Sequence, residues 1–140
     1  MRYVMLVKAN EQSEAGEMPS EGEFTEMNRY NEELAKAGVM LAGEGLHPSA
    51  KGSRIRFSKT GRTVTDGPFP ETKELIAGFW LIHVKSHEEA VEWAKRVPFQ
   101  EGEVELRRVF DAEDFGDALP PEVKEAEERL AAQMEENKKR

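Results

Sequence analysis

The sequence predicts an α+β domain built from two strand–helix–strand halves, and three observations carry that expectation. Tyr3–Val7 and Ile76–Val84 are apolar on both alternations, as strands covered on both faces are. A Ser-x-x-Glu pair follows each of them, Ser20 with Glu23 and Ser86 with Glu89, and opens a stretch of helical periodicity. Between the halves, Arg54-Ile55-Arg56-Phe57 and Thr63-Val64-Thr65 alternate polar with apolar around Gly61 and read as an inserted hairpin. The ferredoxin-like βαβ–βαβ arrangement is the simplest topology for this order.

Taken in order, Tyr3–Val7 is the first strand, flanked by Arg2 and Lys8. Residues 9–19 are polar, contain Gly16 and Pro19, and read as a loop. Phe24, Met27, Tyr30, Leu34 and Ala37 then give one apolar helical face, stopped by Gly38. Val39–Gly45 is the second strand, and Ala42, Gly43 and Gly45 leave room on it for another backbone or a ligand. The hairpin follows, and then Ile76–Val84, whose Phe79, Trp80, Leu81 and Ile82 suit a buried strand. Ala90, Val91, Ala94 and Val97 supply the stripe of a second helix, which Pro98 ends, and Val104–Phe110 is the last strand. With both helices on one side of the sheet, the other side is left apolar and uncovered. Two subunits are therefore expected to pack sheet against sheet as a homodimer.

Residues 111–140 change character and are expected to form an appendage to the domain at 1–110. Asp111–Asp117 is acidic and flexible in composition, and Pro120-Pro121 introduces a C-terminal amphipathic helix with Val123, Ala126, Leu130 and Met134 as a narrow seam. Glu125 with Arg129 and Glu135 with Lys139 are spaced to pair across one helical turn. The tail has 10 acidic and 5 basic residues, so it carries −5 of the chain's net −8. It suits either a solubilising helix or an arm on a partner subunit.

Composition narrows the function. A net charge of −8 argues against non-specific nucleic-acid binding and against anionic membrane surfaces. There is no cysteine, hence no disulfide, thiolate or cysteine metal site, which suits a cytoplasmic protein. Lys8 and Asn10 interrupt the first apolar run too early for a signal peptide, and no stretch has the length of a membrane span. Three dispersed histidines offer no zinc spacing, and neither a phosphate loop nor a dinucleotide fingerprint is present. No cofactor or metal is expected, although Glu44, Asp66 and Glu71 form a conceivable carboxylate set.

The stretch Asp66-Gly67-Pro68-Phe69-Pro70-Glu71-Thr72-Lys73-Glu74 stands out as rigid and charged, because Pro68 and Pro70 fix their own backbone and constrain Gly67 and Phe69. With Gly78-Phe79 beyond it, Ala42-Gly43-Glu44-Gly45-Leu46 and Pro48 before it, and the opening Arg2-Tyr3-Val4-Met5-Leu6, it resembles the DGPF branch of the YCII-related (YciI-like) family. The likeness spans roughly residues 1–110 and leaves out the tail. It implies a dimeric ferredoxin-like α+β barrel. The wider family includes an enzyme that removes halide from a chlorinated muconolactone, for which a His–Asp pair has been proposed. Some relatives of the DGPF branch are associated with sigma factors, which implies a non-catalytic alternative.

The residues offer such a pair in His47, beside Pro48, and Asp66 at the head of the rigid stretch. If the two loops meet, Asp66 orients the imidazole and His47 moves a proton near neutral pH. Arg56 or Lys73 would anchor a small anionic organic substrate such as an acid or lactone, with Glu74 and Phe79 as further contacts. Two classes follow: a cofactor-independent lyase or isomerase, or a dimeric binding or regulatory module. The plain alternatives are Asp66 as a turn former, His47 as a loop histidine, and alternating arginines as the wet face of a hairpin. His83 reads as a strand histidine, His87 as a solvent-facing residue after a helix cap, and Ser49 or Ser53 as weak nucleophile candidates.

Overall fold

The computed structural model describes residues 1–140. The chain divides into two units, Met1–Val109 and Phe110–Arg140. In chain order the first contains β1 (Arg2–Lys8), α1 (Glu11–Glu14), α2 (Glu21–Lys36), β2 (Met40–Gly45), β3 (Ser53–Ser58), β4 (Gly61–Asp66), β5 (Ile76–His83), α3 (His87–Lys95) and β6 (Val104–Arg108). An antiparallel sheet runs in the order β2-β5-β1-β6, with β3 and β4 forming a separate two-stranded ribbon between β2 and β5 in sequence. This is the ferredoxin-like α+β arrangement expected from the element order.

Alternation along the central strands decides which side chains face the helices. Tyr3 and Met5 of β1 lie opposite Ile82 and Trp80 of β5, and these four are buried with Tyr30 and Leu34 of α2 and Ala90 of α3. Both long helices therefore pack on one side. On the other side Val4, Leu6, Phe79 and Leu81 remain partly exposed.

The small residues of β2 are used by neighbouring protein atoms rather than left open. A Cβ on Gly43 would lie 2.8 Å from the Trp80 ring, whose Nε1 donates to Asn31 Oδ1 at 2.8 Å. A Cβ on Gly78 would lie 2.9 Å from the Glu44 carbonyl oxygen, so glycine there lets β2 and β5 approach.

Helix ends follow the sequence signals with two differences. Ser20 Oγ accepts the Glu23 N–H at 3.1 Å while Glu23 accepts the Ser20 N–H at 3.2 Å, and Gly38 ends α2 at φ 70°. On α3 only half of the reciprocal box forms. Ser86 caps Glu89, but the Glu89 carboxylate accepts from the Lys85 N–H at 3.0 Å and from Trp93 Nε1 at 3.3 Å. Residues 9–19, expected as loop, contain α1. Asn10 caps it and exchanges side-chain bonds with Ser13, a pairing that sustains one helical turn without an apolar stripe. Phe24 and Ala37, both expected on the apolar face of α2, are exposed at its two ends, so that face is covered only from Met27 to Leu34.

Tyr30 ties the helices together, since its hydroxyl donates to the Trp93 carbonyl at 2.7 Å. Burial pushes its pKa up to about 12. A phenol whose folded pKa is raised contributes stability in full below its unfolded value near 10 and loses it as pH climbs through the folded value. Unfolding free energy measured between about pH 10 and 12 should therefore fall more steeply in the wild type than in Tyr30→Phe. At neutral pH that variant should lose about 1 kcal/mol.

The second unit contains α4 (Ala112–Phe115) and α5 (Pro121–Lys138). Asp111, within the stretch expected to be flexible, caps α4, and Phe110 stacks on Phe115 at 4.9 Å between ring centroids. α5 begins at Pro121 as anticipated and buries none of its residues. Its ion pairs are Glu135–Lys138 and Glu136–Lys139, three residues apart rather than four. Exposed pairs of this kind add little stability. No helix is long and apolar enough to cross a membrane.

Candidate functional site

Two loops, residues 46–52 after β2 and residues 67–75 before β5, are pinned to each other, and Ser49 is the pin. Its backbone N–H donates to Glu14 Oε2 at 2.9 Å and its hydroxyl donates to Glu14 Oε1. The same hydroxyl accepts the Phe69 N–H at 3.0 Å, and the Gly67 N–H donates to the Gly52 carbonyl at 3.0 Å. Glycine is required at position 67 by contact. A Cβ there would stand 1.8 Å from the Ser49 carbonyl oxygen, well inside any tolerable separation. The Gly67–Pro68 peptide is cis. Hydrogen bonds from the Ser49 hydroxyl, and then from its N–H, hold the Glu14 carboxyl below its usual pKa.

The clamp continues into the ribbon. Phe69 lies under the Arg54 guanidinium, 3.9 Å from carbon to ring centroid, and Arg54 also reaches Glu71 at 3.2 Å. Arg54 is thereby occupied. Arg56, two residues along the same face, is exposed and carries neither a hydrogen bond nor an ion pair. Arg54, Ile55, Arg56, Thr65 and Phe69 line a hollow of about 400 Å³. It combines an unpaired guanidinium, a threonine and an aromatic wall, a set suited to a small anion with an apolar body.

The loop bearing His47 thus meets the turn that follows Asp66, the last residue of β4, but no hydrogen bond joins the two side chains. Asp66 Oδ1 accepts the Ser53 hydroxyl at 2.7 Å across the ribbon, and His47 is exposed without a polar partner. Lys73 and Glu74 lie exposed in the one-turn helix Thr72–Glu74. Phe79 sits on the sheet face opposite the helices, beside Leu6 of β1 and Glu44 of β2, so it is not part of the hollow. The carboxylates of Glu44, Asp66 and Glu71 do not converge as a metal-binding group. His87 is exposed as expected, with its ring 5.7 Å from that of Tyr3 between centroids.

Glu14 was hidden within a polar run that reads as loop, and Ser49 looked like one serine among several. The spacing of Asn10 and Ser13 was the one local signal that α1 exists to present Glu14.

The fold and the paired loops define a small ferredoxin-like protein whose rigid Asp-Gly-Pro-Phe turn shapes a surface hollow. The YCII-related domain family matches residues 1–113, and the chain belongs to that family. It is also similar to an uncharacterised protein of Rhizobium meliloti (strain 1021), with 30% identity over 97 residues that cover 68% of this chain and 78% of that protein.

Proposed function

We propose that this protein is a binding module of the DGPF branch that takes a small organic anion in the hollow beside the ribbon and works as a homodimer paired through the exposed sheet face. The observation that carries the ligand reading is Arg56, which has no counter-ion and lines the hollow together with Phe69 and Thr65. Arg54 is excluded as the anchor because Glu71 and Phe69 already hold it. Lys73, expected as an alternative anchor, stands between Glu71 and Glu74 and does not line the hollow.

Benzoate and succinate are suitable probes, one with an aromatic body and one without. Calorimetry at low salt should detect binding to the wild type, and Arg56→Ala should weaken it by roughly 10- to 100-fold, the effect of one charge-assisted hydrogen bond. Arg56→Lys should recover only part of the affinity, since ammonium lacks the planar fork. Equal affinity in the alanine variant, or no binding of any small carboxylate, would overturn the proposal.

An acid–base enzyme is the second reading, favoured by the contact between the two loops and by an imidazole free of other partners. In it His47 moves the proton, Asp66 orients the ring after releasing Ser53, and Arg56 holds the substrate. His47→Gln would then abolish turnover while leaving anion affinity close to wild type. For the binding module alone, neither His47→Gln nor Asp66→Asn alters anything catalytic.

A further inference from the structure

Arg54 and Arg56 occupy alternate positions of β3, on the ribbon face that lines the hollow. Residues two apart on a strand stand roughly 7 Å apart along it. That spacing suits the two ends of a short dicarboxylate, with one guanidinium for each acid group. Arg56 takes the first without displacing anything, because it has no counter-ion. The second seat, at Arg54, is held by Glu71.

Glu71 holds it weakly. The pair rests on a single hydrogen bond, from Arg54 Nη1 to Glu71 Oε2 at 3.2 Å, and the two side chains are 49% and 42% exposed. An exposed one-point pair adds little, whereas a carboxylate can engage a guanidinium at two points. The Glu71 side chain makes no capping bond to the one-turn helix Thr72–Glu74 that follows it, so its release costs that helix no bond. Arg54 also keeps its place when Glu71 leaves. Its guanidinium lies 3.9 Å from the centroid of the Phe69 ring, and the Phe69 N–H is fixed to the Ser49 hydroxyl. The stack presents the guanidinium to whichever carboxylate sits there.

We infer that the hollow selects short dicarboxylates: one carboxylate pairs with Arg56, and the other replaces Glu71 on Arg54. The inference rests on the anion-binding reading above and adds the class of ligand. It also gives Glu71 a role in selection, as an internal carboxylate that competes for the second seat. A ligand with one acid group, bound at Arg56, has nothing with which to displace it.

Calorimetry near neutral pH and at low salt tests this with three probes. Succinate spans both seats, monomethyl succinate has the same chain with one acid group esterified, and malonate carries both charges on a shorter span. Succinate should bind the wild type about tenfold more tightly than its monoester, the gain of a further charge-assisted hydrogen bond less the hold of Glu71. Malonate should bind less tightly than succinate. Glu71→Gln should tighten succinate by roughly 2- to 5-fold, the worth of an exposed ion pair, and the monoester by less. Arg54→Gln should bring succinate down to the level of the monoester. If the probes bind and Arg56→Ala weakens them, but succinate has no advantage over the monoester or malonate, the dicarboxylate class is overturned and the anion site stands. An advantage that persists in Arg54→Gln, or succinate affinity unchanged by Glu71→Gln, overturns the second seat in the same way. Failure of all three probes to bind the wild type overturns the anion reading itself, and this inference with it.

Discussion

Gly67→Ala should break the junction between the two loops and cost about 3 kcal/mol, the upper end of overpacking penalties. The added methyl group would be driven into the Ser49 carbonyl oxygen, a backbone atom that cannot rotate away. Relief requires one of the loops to lift, and lifting either breaks the Gly67-to-Gly52 and Phe69-to-Ser49 hydrogen bonds. Thermal denaturation should show a clear drop in Tm, and amide exchange at Phe69 should approach that of an open loop. Affinity for benzoate should fall in parallel, because Phe69 forms a wall of the hollow. A protein with Gly67→Ala that melts and exchanges like the wild type would mean that the loops are not clamped as described.

Ser49→Ala is expected to produce the second large effect, at the same junction but through lost bonds instead of a clash. The Phe69 N–H loses its acceptor and Glu14 loses the hydroxyl that does most to lower its pKa. Exchange at the Phe69 amide should accelerate by about tenfold or more, the equivalent of one ordinary hydrogen bond. The wild-type junction should also be acid-labile. A carboxylate with a depressed folded pKa contributes its stabilisation above the unfolded value and loses it as pH falls through the folded value. Loosening of the wild-type loop should therefore begin below the ordinary carboxylate range, where Glu14 takes up a proton. In Ser49→Ala the Glu14 pKa should return toward its ordinary value and the acid-dependent part of the change should shrink. Carbon-13 titration of the Glu14 carboxyl measures both.

The two variants separate the structural role of the turn from its chemistry. Asp66 opens the turn, yet its carboxylate is spent on Ser53, and the residues that fix the turn's position are Gly67 and Phe69 through their backbones. The rigidity inferred from Pro68 and Pro70 therefore has its purpose in presenting Phe69 to Arg54, and through that contact in shaping the hollow.

What the sequence determined by itself was local and periodic. Tyr3–Val7 and Ile76–Val84 announce buried strands, Ser20 with Glu23 opens α2, Gly38 closes it, and the ribbon shows in its alternation; each signal is complete within a few residues. The arginine-bearing face of the ribbon was legible for the same reason. Tertiary structure alone decided which residues meet across the chain. Ser49 finds Glu14 from 35 positions away and Phe69 from 20, and no periodicity records such a distance. It also decided that Trp80, not a ligand, fills the space over Gly43, and that Arg54 is neutralised while Arg56 is left unpaired. Helix and strand signals arise from bonds between near neighbours, whereas a site depends on which loops the packed sheet brings together.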